Sequence, residues 1–284
     1  MSCGFYIEVE GRQVPCGKCQ GCRRRNRRAW VARMMAESAY HEDTSFVTLT
    51  YDDDHLPTVY HEETDTWIPT LVKSHPQKWI RSVRDRGHAL RYFFAGEYGE
   101  KTSRPHYHAI IFGLGLGYAE LFQEAWGKGF VSAYAANART MSYVAKYTLK
   151  GSRDPEPGSK HFDPAEGDDR LTVAPFRLTS RNPALGTQMA PRIGEQLVKR
   201  TKHGILHDPE IHSDKVIRIG GEKYPLDRMM RTKVVESLTA TGVHPLHAKA
   251  IFNTELYVAN DDQISKAKAD HKAALRKRHK RTKL

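Results

Sequence analysis

Two histidines separated by one residue, His106 and His108, are the residues of this sequence best suited to metal chemistry. The run that follows them, residues 109–112, is apolar and closed by a glycine, which predicts a buried strand. Side chains alternate between the two faces of a strand, so both imidazoles point to one side and can reach a single metal ion. The spacing therefore indicates a metal site, with an ordinary core or surface role for the histidines as the alternative.

A glutamate can complete a ligand set with these histidines. The stretch from Leu90 to Glu97 is predicted to form the preceding strand, and residues 98–105 make a connection of hairpin length. If the two strands pair antiparallel, Glu97 lies beside His106 at the mouth of the hairpin. Two imidazoles and a carboxylate with open coordination positions could hold Mg²⁺ or Mn²⁺ against a phosphate oxygen. The predicted metal ligands are therefore Glu97, His106 and His108.

Two tyrosines, Tyr143 and Tyr147, could supply a nucleophile. They fall in a predicted helix from Met141 to a glycine C-cap at Gly151, and a spacing of four places both on one face. A phenol has a pKa of about 10, so it needs a nearby cation or a metal-polarised target to act as a nucleophile. Lys146 and the metal site could provide both. The alternative is an ordinary aromatic ridge in the core.

The four cysteines of the chain lie near its start, at Cys3, Cys16, Cys19 and Cys22. The C-x2-C spacing lets two thiolates from one turn bind one ion, and Cys3 could complete a four-thiolate structural zinc site. Reduced thiols without a ligand are the alternative. An iron–sulfur site matches less well, because the expected following cysteine and proline are absent. Bound Zn²⁺ would staple this loop onto the segment that follows it.

Positive charge dominates the chain. It carries 45 Lys+Arg against 33 Asp+Glu, a net charge of +12, which favours polyanionic partners and chiefly nucleic acid. The segment after the cysteines is predicted to be a basic helix that tracks phosphates, or else a solvated face, and the tail from Lys266 is predicted to be an exposed basic arm. The predicted DNA-binding residues are Arg23, Arg24, Arg25, Arg27, Arg28, Arg276, Lys277 and Arg278.

Several functional classes are disfavoured by what the sequence lacks. No apolar run approaches the length of a membrane span, and the N-terminus has no signal-peptide core, so a cytoplasmic location and no membrane partner are expected. There is no G-x4-G-K-[ST] motif, so no ATP-driven helicase is predicted in this chain.

The remaining patterns give a coarse map of elements and domains. Residues 44–51 are predicted to form the first strand, residues 57–70 an irregular excursion, and residues 171–204 no periodic element. Further predictions are helices over 73–86, 118–127 and within 228–260, a strand over 129–135 and a hairpin within 215–225. The predicted domains are a Cys-rich knuckle with a basic helix (1–42), a core (43–151), a linker or loop (152–170), an accessory region (171–265) and a basic tail (266–284).

Four motifs in this order resemble HUH endonucleases of the rolling-circle replication initiator type. They are Phe46-Val47-Thr48-Leu49-Thr50-Tyr51, Gly96-Glu97-Tyr98-Gly99, Pro105-His106-Tyr107-His108 and Tyr143-Val144-Ala145-Lys146-Tyr147. Relaxases have the tyrosine before the histidine pair, so the order argues against them, and two tyrosines are similar to initiators of small single-stranded DNA bacteriophages. The cysteine cluster with its arginine-rich helix, and residues 180–186, resemble specifically the microvirus, gokushovirus-type, replication initiators.

This resemblance implies a fold and a mechanism. The fold is α+β: an RRM-like (ferredoxin-like) antiparallel sheet with helices on one face, a Cys-rich helical N-terminal extension and a mostly helical C-terminal extension. The metal would polarise the scissile phosphate, and Tyr143 or Tyr147 would attack it, leaving a 5′-phosphotyrosyl link and a 3′-OH that primes replication. The second tyrosine would cleave the regenerated origin, the freed 3′-OH would reseal the circle, and Lys146 would assist. The implied partners are single-stranded origin DNA and host replication machinery with a separate helicase.

Two other functions remain compatible with the same residues. In a hydrolytic metal-dependent nuclease, water would attack the phosphate and the tyrosines would only stack on bases. In a non-catalytic DNA-binding protein, the cysteine knuckle and the basic arms would bind phosphates and the histidines would be structural.

Overall fold

The structure is a computed structural model that describes residues 3–9, 11–62, 64–99, 102–147, 172–202, 216–219 and 221–243. These residues contain six α-helices and a five-stranded antiparallel sheet, which confirms the α+β class. The predicted linker, the C-cap at Gly151 and the basic tail with Arg276, Lys277 and Arg278 lie outside the described residues.

The chain begins with a hairpin that was not predicted. Strand β1 (Tyr6–Val9) pairs antiparallel with β2 (Arg12–Pro15), and the turn contains Gly11 in the left-handed region at φ +70°. The prediction that residues 44–51 form the first strand is therefore wrong, because four-residue strands are too short to show a clear period. Helix α1 (Gln20–Ser38) follows the hairpin.

The central sheet has the strand order β8-β3-β7-β6-β9. Three of its strands and the helix predictions beside them agree with the sequence to within a residue or two, whereas the edge strand β9 falls where no element was predicted. The strands are β3 (Thr44–Tyr51), β6 (Arg91–Tyr98), β7 (Pro105–Phe112), β8 (Gly129–Ala135) and β9 (Phe176–Thr179).

Helices cover both faces of this sheet. One face of β7, with Tyr107 and Ile111, packs in a core with Trp79 of helix α2 (Ser74–Asp85) and Phe122 of helix α3 (Ala119–Trp126). Helix α4 (Ala138–Tyr147) lies against β6 and β7 beside His108, whose side chain points to the opposite face. The prediction of helices on one face is therefore wrong, because β6 and β7 are apolar on both faces.

Two shorter elements complete the region around the sheet. Strands β4 (Thr58–His61) and β5 (Thr66–Pro69) form a hairpin where an irregular excursion was predicted, and its largely exposed side chains left no apolar alternation to read. Helix α4 starts three residues before the predicted Met141, because the side chain of Asn137 accepts hydrogen bonds from the first-turn amides of Arg139 and Thr140.

The C-terminal elements are two helices and a hairpin. Helix α5 (Ala190–Lys202) was not predicted, since a proline in its first turn and a glycine soon after obscure its period. The hairpin of β10 (Val216–Ile219) and β11 (Glu222–Pro225) confirms the prediction, as does helix α6 (Arg228–Ala240). Side chains of α5 and α6 share a core that includes Ile193, Val234 and Leu238.

The chain divides into two compact units, one of Met1–Arg33 with Gly186–Leu284 and one of Met34–Leu185. The five domain boundaries predicted from the sequence stay predictions. Among the helices that the structure describes, none combines the length and the apolar character needed to cross a membrane.

Candidate active site

The two histidines and the glutamate come together at the mouth of the β6–β7 hairpin. Glu97 and His106 are cross-strand partners, as the length of the connection predicts. The Nε2 atoms of His106 and His108 lie 2.9 Å and 3.0 Å from the same carboxylate oxygen, Oε1 of Glu97. One ligand atom from each of the three residues lies within 4.8 Å of the others, so they can converge on a single ion.

Contacts on the far side of each imidazole orient these ligand atoms. The Nδ1 atom of His106 lies 3.2 Å from the carbonyl oxygen of Arg104. The Nδ1 atom of His108 lies 2.9 Å from the hydroxyl oxygen of Thr48 on β3. A carbonyl oxygen can only accept, so the Nδ1 atom of His106 carries the proton and its Nε2 atom keeps a free lone pair. Metal-binding histidines are commonly held in this way.

The chemistry of this donor set fits a divalent cation. A carboxylate oxygen also only accepts, so a neutral His106 places two acceptors 2.9 Å apart across the hairpin. A cation held between them, or a second proton on the ring, would relieve this conflict. Two nitrogens and one carboxylate oxygen leave further coordination positions open to a substrate oxygen.

The electrostatics of the site favour the forms that bind metal. Burial alone would raise the pKa of the Glu97 carboxyl, but the hydrogen bonds with His106 and His108 outweigh it and hold that pKa below its ordinary value. Burial lowers the pKa of His108, and the nearby carboxylate opposes this only in part. At neutral pH the carboxylate is therefore ionised and His108 is neutral.

Both tyrosines of α4 lie against His108. The hydroxyl oxygen of Tyr143 is 3.4 Å from the Nε2 atom of His108, and the Tyr147 ring stacks on the imidazole with the centroids 5.7 Å apart. The two phenol rings are 5.0 Å apart, so they share one helix face as predicted. They differ in exposure, because Tyr143 is 42% exposed and Tyr147 only 5%. The exposed side chain of Lys146 places its Nζ atom 5.6 Å from the centroid of the Tyr147 ring.

Two residues of β3 support the site and were not identified from the sequence. The Thr48 hydroxyl contacts His108, and Phe46 stacks on the same imidazole with centroids 5.6 Å apart. Phe46 also meets the ring of Tyr143 edge-on at 6.1 Å. Their signal is the register of β3 with β7, which pairs Thr48 with His108 and cannot be read from either strand alone.

The predicted zinc and DNA-binding residues belong to the other compact unit. The sulfur atoms of Cys3, Cys16, Cys19 and Cys22 all lie within 4.8 Å of one another, and all four are free thiols.

The arginines of α1 differ in their surroundings. Arg24 and Arg25 are exposed, whereas Arg23, Arg27 and Arg28 are half-buried. The Arg28 guanidinium donates to the carbonyl oxygen of Lys223 and therefore has a partner within the protein.

Comparisons with known proteins identify the family. Residues 44–152 match a family model for the replication-associated protein ORF2. The chain is 36% identical over 158 residues to Replication-associated protein ORF2 of Spiroplasma virus 4, covering 48% of this chain and 48% of the relative. It is 29% identical over 212 residues to Replication-associated protein VP4 of Bdellovibrio phage phiMH2K, covering 68% and 62%. It is 29% identical over 158 residues to Replication-associated protein ORF4 of Chlamydia phage 1, covering 48% and 38%.

The chain thus spans less than two thirds of the length of each of these relatives. None of the solved structures matches it. As the motif resemblance predicts, the chain belongs to the family of microvirus replication-associated proteins, with residues 44–152 as its ORF2-type region.

Proposed function

We propose that this chain is a rolling-circle replication initiator that cuts and rejoins single-stranded DNA through a 5′-phosphotyrosyl intermediate. The observation that carries the proposal is the position of His108, whose Nε2 atom lies 3.0 Å from the Glu97 carboxylate and 3.4 Å from the Tyr143 hydroxyl. A metal-binding group and a phenol that share one neighbour can act on the same phosphate. Membership of a replication-associated family supports a role in initiation.

The metal ligands of the proposed site are Glu97, His106 and His108, holding Mg²⁺ or Mn²⁺. When bound, the ion supplies Lewis-acid polarisation of a phosphate oxygen. The carbonyl of Arg104 and the hydroxyl of Thr48 hold the two rings with their Nε2 atoms turned inward. This preorganisation keeps the phosphate in one place relative to helix α4.

The proposed cut is a transfer of the phosphoryl group to a phenol. The Oη atom of Tyr143 forms a bond to the scissile phosphorus, and the bond from phosphorus to the 3′ oxygen breaks. The downstream strand stays on the protein through its 5′ phosphate, while the upstream strand leaves as a 3′-OH that takes up a proton in place of the one lost by the phenol. Attack by a 3′-OH on the phosphotyrosine reverses these bonds and reseals DNA.

The two tyrosines receive different roles in this proposal. Tyr143 makes the first cut because it is the more exposed phenol and its hydroxyl already lies beside His108. Tyr147, buried behind it with Lys146 over its ring, makes the second cut once the first strand has been transferred. The substrate is single-stranded origin DNA, since both phenols need access to the backbone. The proposal also includes a separate helicase of the host replication machinery and a location in the host cytoplasm.

The test uses a library of random-sequence single-stranded DNA labelled at the 3′ end. After incubation with Mn²⁺ or Mg²⁺, the label should migrate with the wild-type protein on a denaturing gel. EDTA, the double variant His106→Ala/His108→Ala, and the double variant Tyr143→Phe/Tyr147→Phe should each abolish this adduct. The matched control is Tyr40→Phe, since Tyr40 is 40% exposed and lies outside the site; it should leave the adduct unchanged.

Each other function predicts a different gel. A hydrolytic nuclease would release labelled fragments with no protein attached. A non-catalytic DNA-binding protein would leave the library intact after long incubation with either metal. An adduct that persists in the double tyrosine variant would refute the tyrosine mechanism.

A further inference from the structure

We propose that Cys3, Cys16, Cys19 and Cys22 bind a single structural Zn²⁺ ion. The Cys3 sulfur lies 3.5 Å from that of Cys16 and 3.8 Å from that of Cys19. Tetrahedral zinc with bonds of about 2.3 Å to sulfur places its ligands about 3.8 Å apart, whereas a disulfide joins sulfurs at about 2.0 Å. The spacing in the protein therefore fits four ligands around one ion and does not fit two disulfides.

The surrounding backbone is also arranged for thiolate ligands. The amides of Phe5 and Cys16 both donate to the Cys3 sulfur at 3.3 Å, and the amide of Cys19 donates to the Cys16 sulfur at 3.3 Å. Such bonds partly offset the charge on a thiolate and orient its lone pairs. An iron–sulfur cluster would place several atoms between its ligands, but these sulfurs close on a space for one ion.

The local structure needs the staple that zinc would provide. The β1–β2 hairpin has only four residues in each strand, and an isolated hairpin of this size is marginally stable. Its apolar residues Phe5, Ile7 and Val9 are each nearly half exposed, so it gains little from burial. The four cysteines lie before β1, after β2, before α1 and in the first turn of α1. One ion would therefore tie the hairpin to the helix, and its binding energy would contribute to folding.

The first test is the metal content of the purified full-length chain, for which we expect one zinc ion per chain. The double variant Cys16→Ser/Cys19→Ser should lose this zinc, whereas His106→Ala/His108→Ala should keep it, which separates this site from the proposed active site. Because the cysteine variant can fail to fold, a second measurement uses the wild-type protein alone. Titration with a mercurial reagent should release one zinc for the four thiols modified, and the chain contains only these four cysteines. No zinc, one iron, or absorption by an iron–sulfur cluster would overturn the proposal.

A different observation carries a second inference, about strand β8. Phe130 and Tyr134 are 68% and 60% exposed, although both are large aromatic residues. They lie four residues apart on one strand, so they face the same side of the sheet. The register of β8 with β3 and of β3 with β7 places Phe130, Thr50 and His106 in one row across the strands. Phe130 and Tyr134, here called the aromatic shelf, therefore lie on the face that carries the proposed active site.

We infer that the aromatic shelf stacks bases of the single-stranded DNA that enters this site, an inference that rests on the proposed function. Phe130 is two strand spacings, about 10 Å, from the row position of His106, a distance that a few nucleotides span. Tyr134 pairs with Phe46, which contacts His108, so aromatic side chains continue from the shelf toward the ligands. Exposed rings beside a polyanion-binding site are the usual platform for single strands, and the net charge of +12 complements the backbone of DNA.

The test measures binding of a fluorescent oligothymidine 20-mer in EDTA, where no cleavage occurs. Phe130→Ala and Tyr134→Ala should each weaken binding about tenfold, with an unchanged dependence on salt because no phosphate contact is lost. The matched control is Trp67→Ala, since Trp67 is 68% exposed on the separate β4–β5 hairpin; it should bind as the wild type does. Wild-type affinity in both shelf variants, or an equal loss in the Trp67 variant, would overturn the inference.

Failure of the proposed function can be distinguished from failure of the shelf. A wild-type protein that binds the oligonucleotide through the shelf but forms no adduct with the DNA library would refute the cutting mechanism alone.

Discussion

Replacing Thr48 by valine probes the metal site without touching a proposed ligand. Valine has nearly the shape of threonine, so the substitution removes the hydroxyl that lies 2.9 Å from the Nδ1 atom of His108 and little else. Without that partner, the imidazole loses the contact that sets its tautomer and its orientation. We expect weaker metal binding from a protein that remains folded.

The magnitude follows from the surroundings of the ring. The side chain of His108 is only 8% exposed, so water cannot readily replace the lost partner. A buried polar group left without a partner costs about 1–3 kcal/mol. Loss of an outer contact to a metal-binding histidine typically weakens metal affinity about 10- to 100-fold, which corresponds to about 1.4–2.7 kcal/mol. The two ranges agree, and we expect a loss of about 30-fold.

Calorimetric titration of the protein with Mn²⁺ measures this loss. The matched control is Thr50→Val on the same strand and the same face, because the Thr50 hydroxyl donates to the carbonyl of Phe130 instead of to an imidazole. Thermal unfolding of both variants shows whether they remain folded. If Thr48→Val binds Mn²⁺ as tightly as the wild type, or if Thr50→Val loses as much affinity, the assigned geometry of the metal site is wrong.

Three further predictions concern stability and pH. Arg91→Ala removes the guanidinium that pairs with the fully buried carboxylate of Glu37, so the free energy of unfolding in urea should fall by about 3 kcal/mol; an unchanged value would contradict a structural role for the pair. Gly186→Ala should destabilise more than Gly221→Ala, measured in the same way. Both glycines have φ near +80°, which costs a side chain about 1–2 kcal/mol, but only at Gly186 would the new Cβ atom also collide with the backbone of α1. Burial and nearby lysines lower the pKa of His75 in the folded protein. Its protonation therefore favours the unfolded state as the pH falls below about 6.5, and His75→Gln should flatten the decline in unfolding free energy between pH 7 and pH 5.

The parts of the fold that the sequence predicted are those with a strong local pattern. Strands β3, β6 and β7 are long and apolar, and a short connection left antiparallel pairing as the simple solution for β6 and β7. This pairing brought Glu97 to His106 as predicted. Strand β9 has four residues at the sheet edge and is stabilised by its pairing with β6, which no local period encodes. Helix α4 on the second face was equally hidden, because a strand sequence does not say which element covers it.

The candidate site shows the same division. The spacing of Tyr143 and Tyr147 predicted one shared helix face, but their unequal exposure depends on how α4 packs against β6 and β7. The roles of Thr48 and Phe46 depend on a register between strands that are more than fifty residues apart in sequence. The cysteine spacing predicted a cluster, whereas the distances between the sulfurs required the folded hairpin.

The central claim is that a phenol of α4 becomes linked to DNA with the help of the Glu97, His106 and His108 site. Its most direct measurement is mass spectrometry of the nuclease-trimmed adduct after protease digestion. We predict a nucleotide 5′-phosphate on Tyr143, formed only when Mg²⁺ or Mn²⁺ is present. A nucleotide attached to a residue outside α4, an adduct that forms equally well in EDTA, or cleaved DNA without any modified peptide would contradict the account.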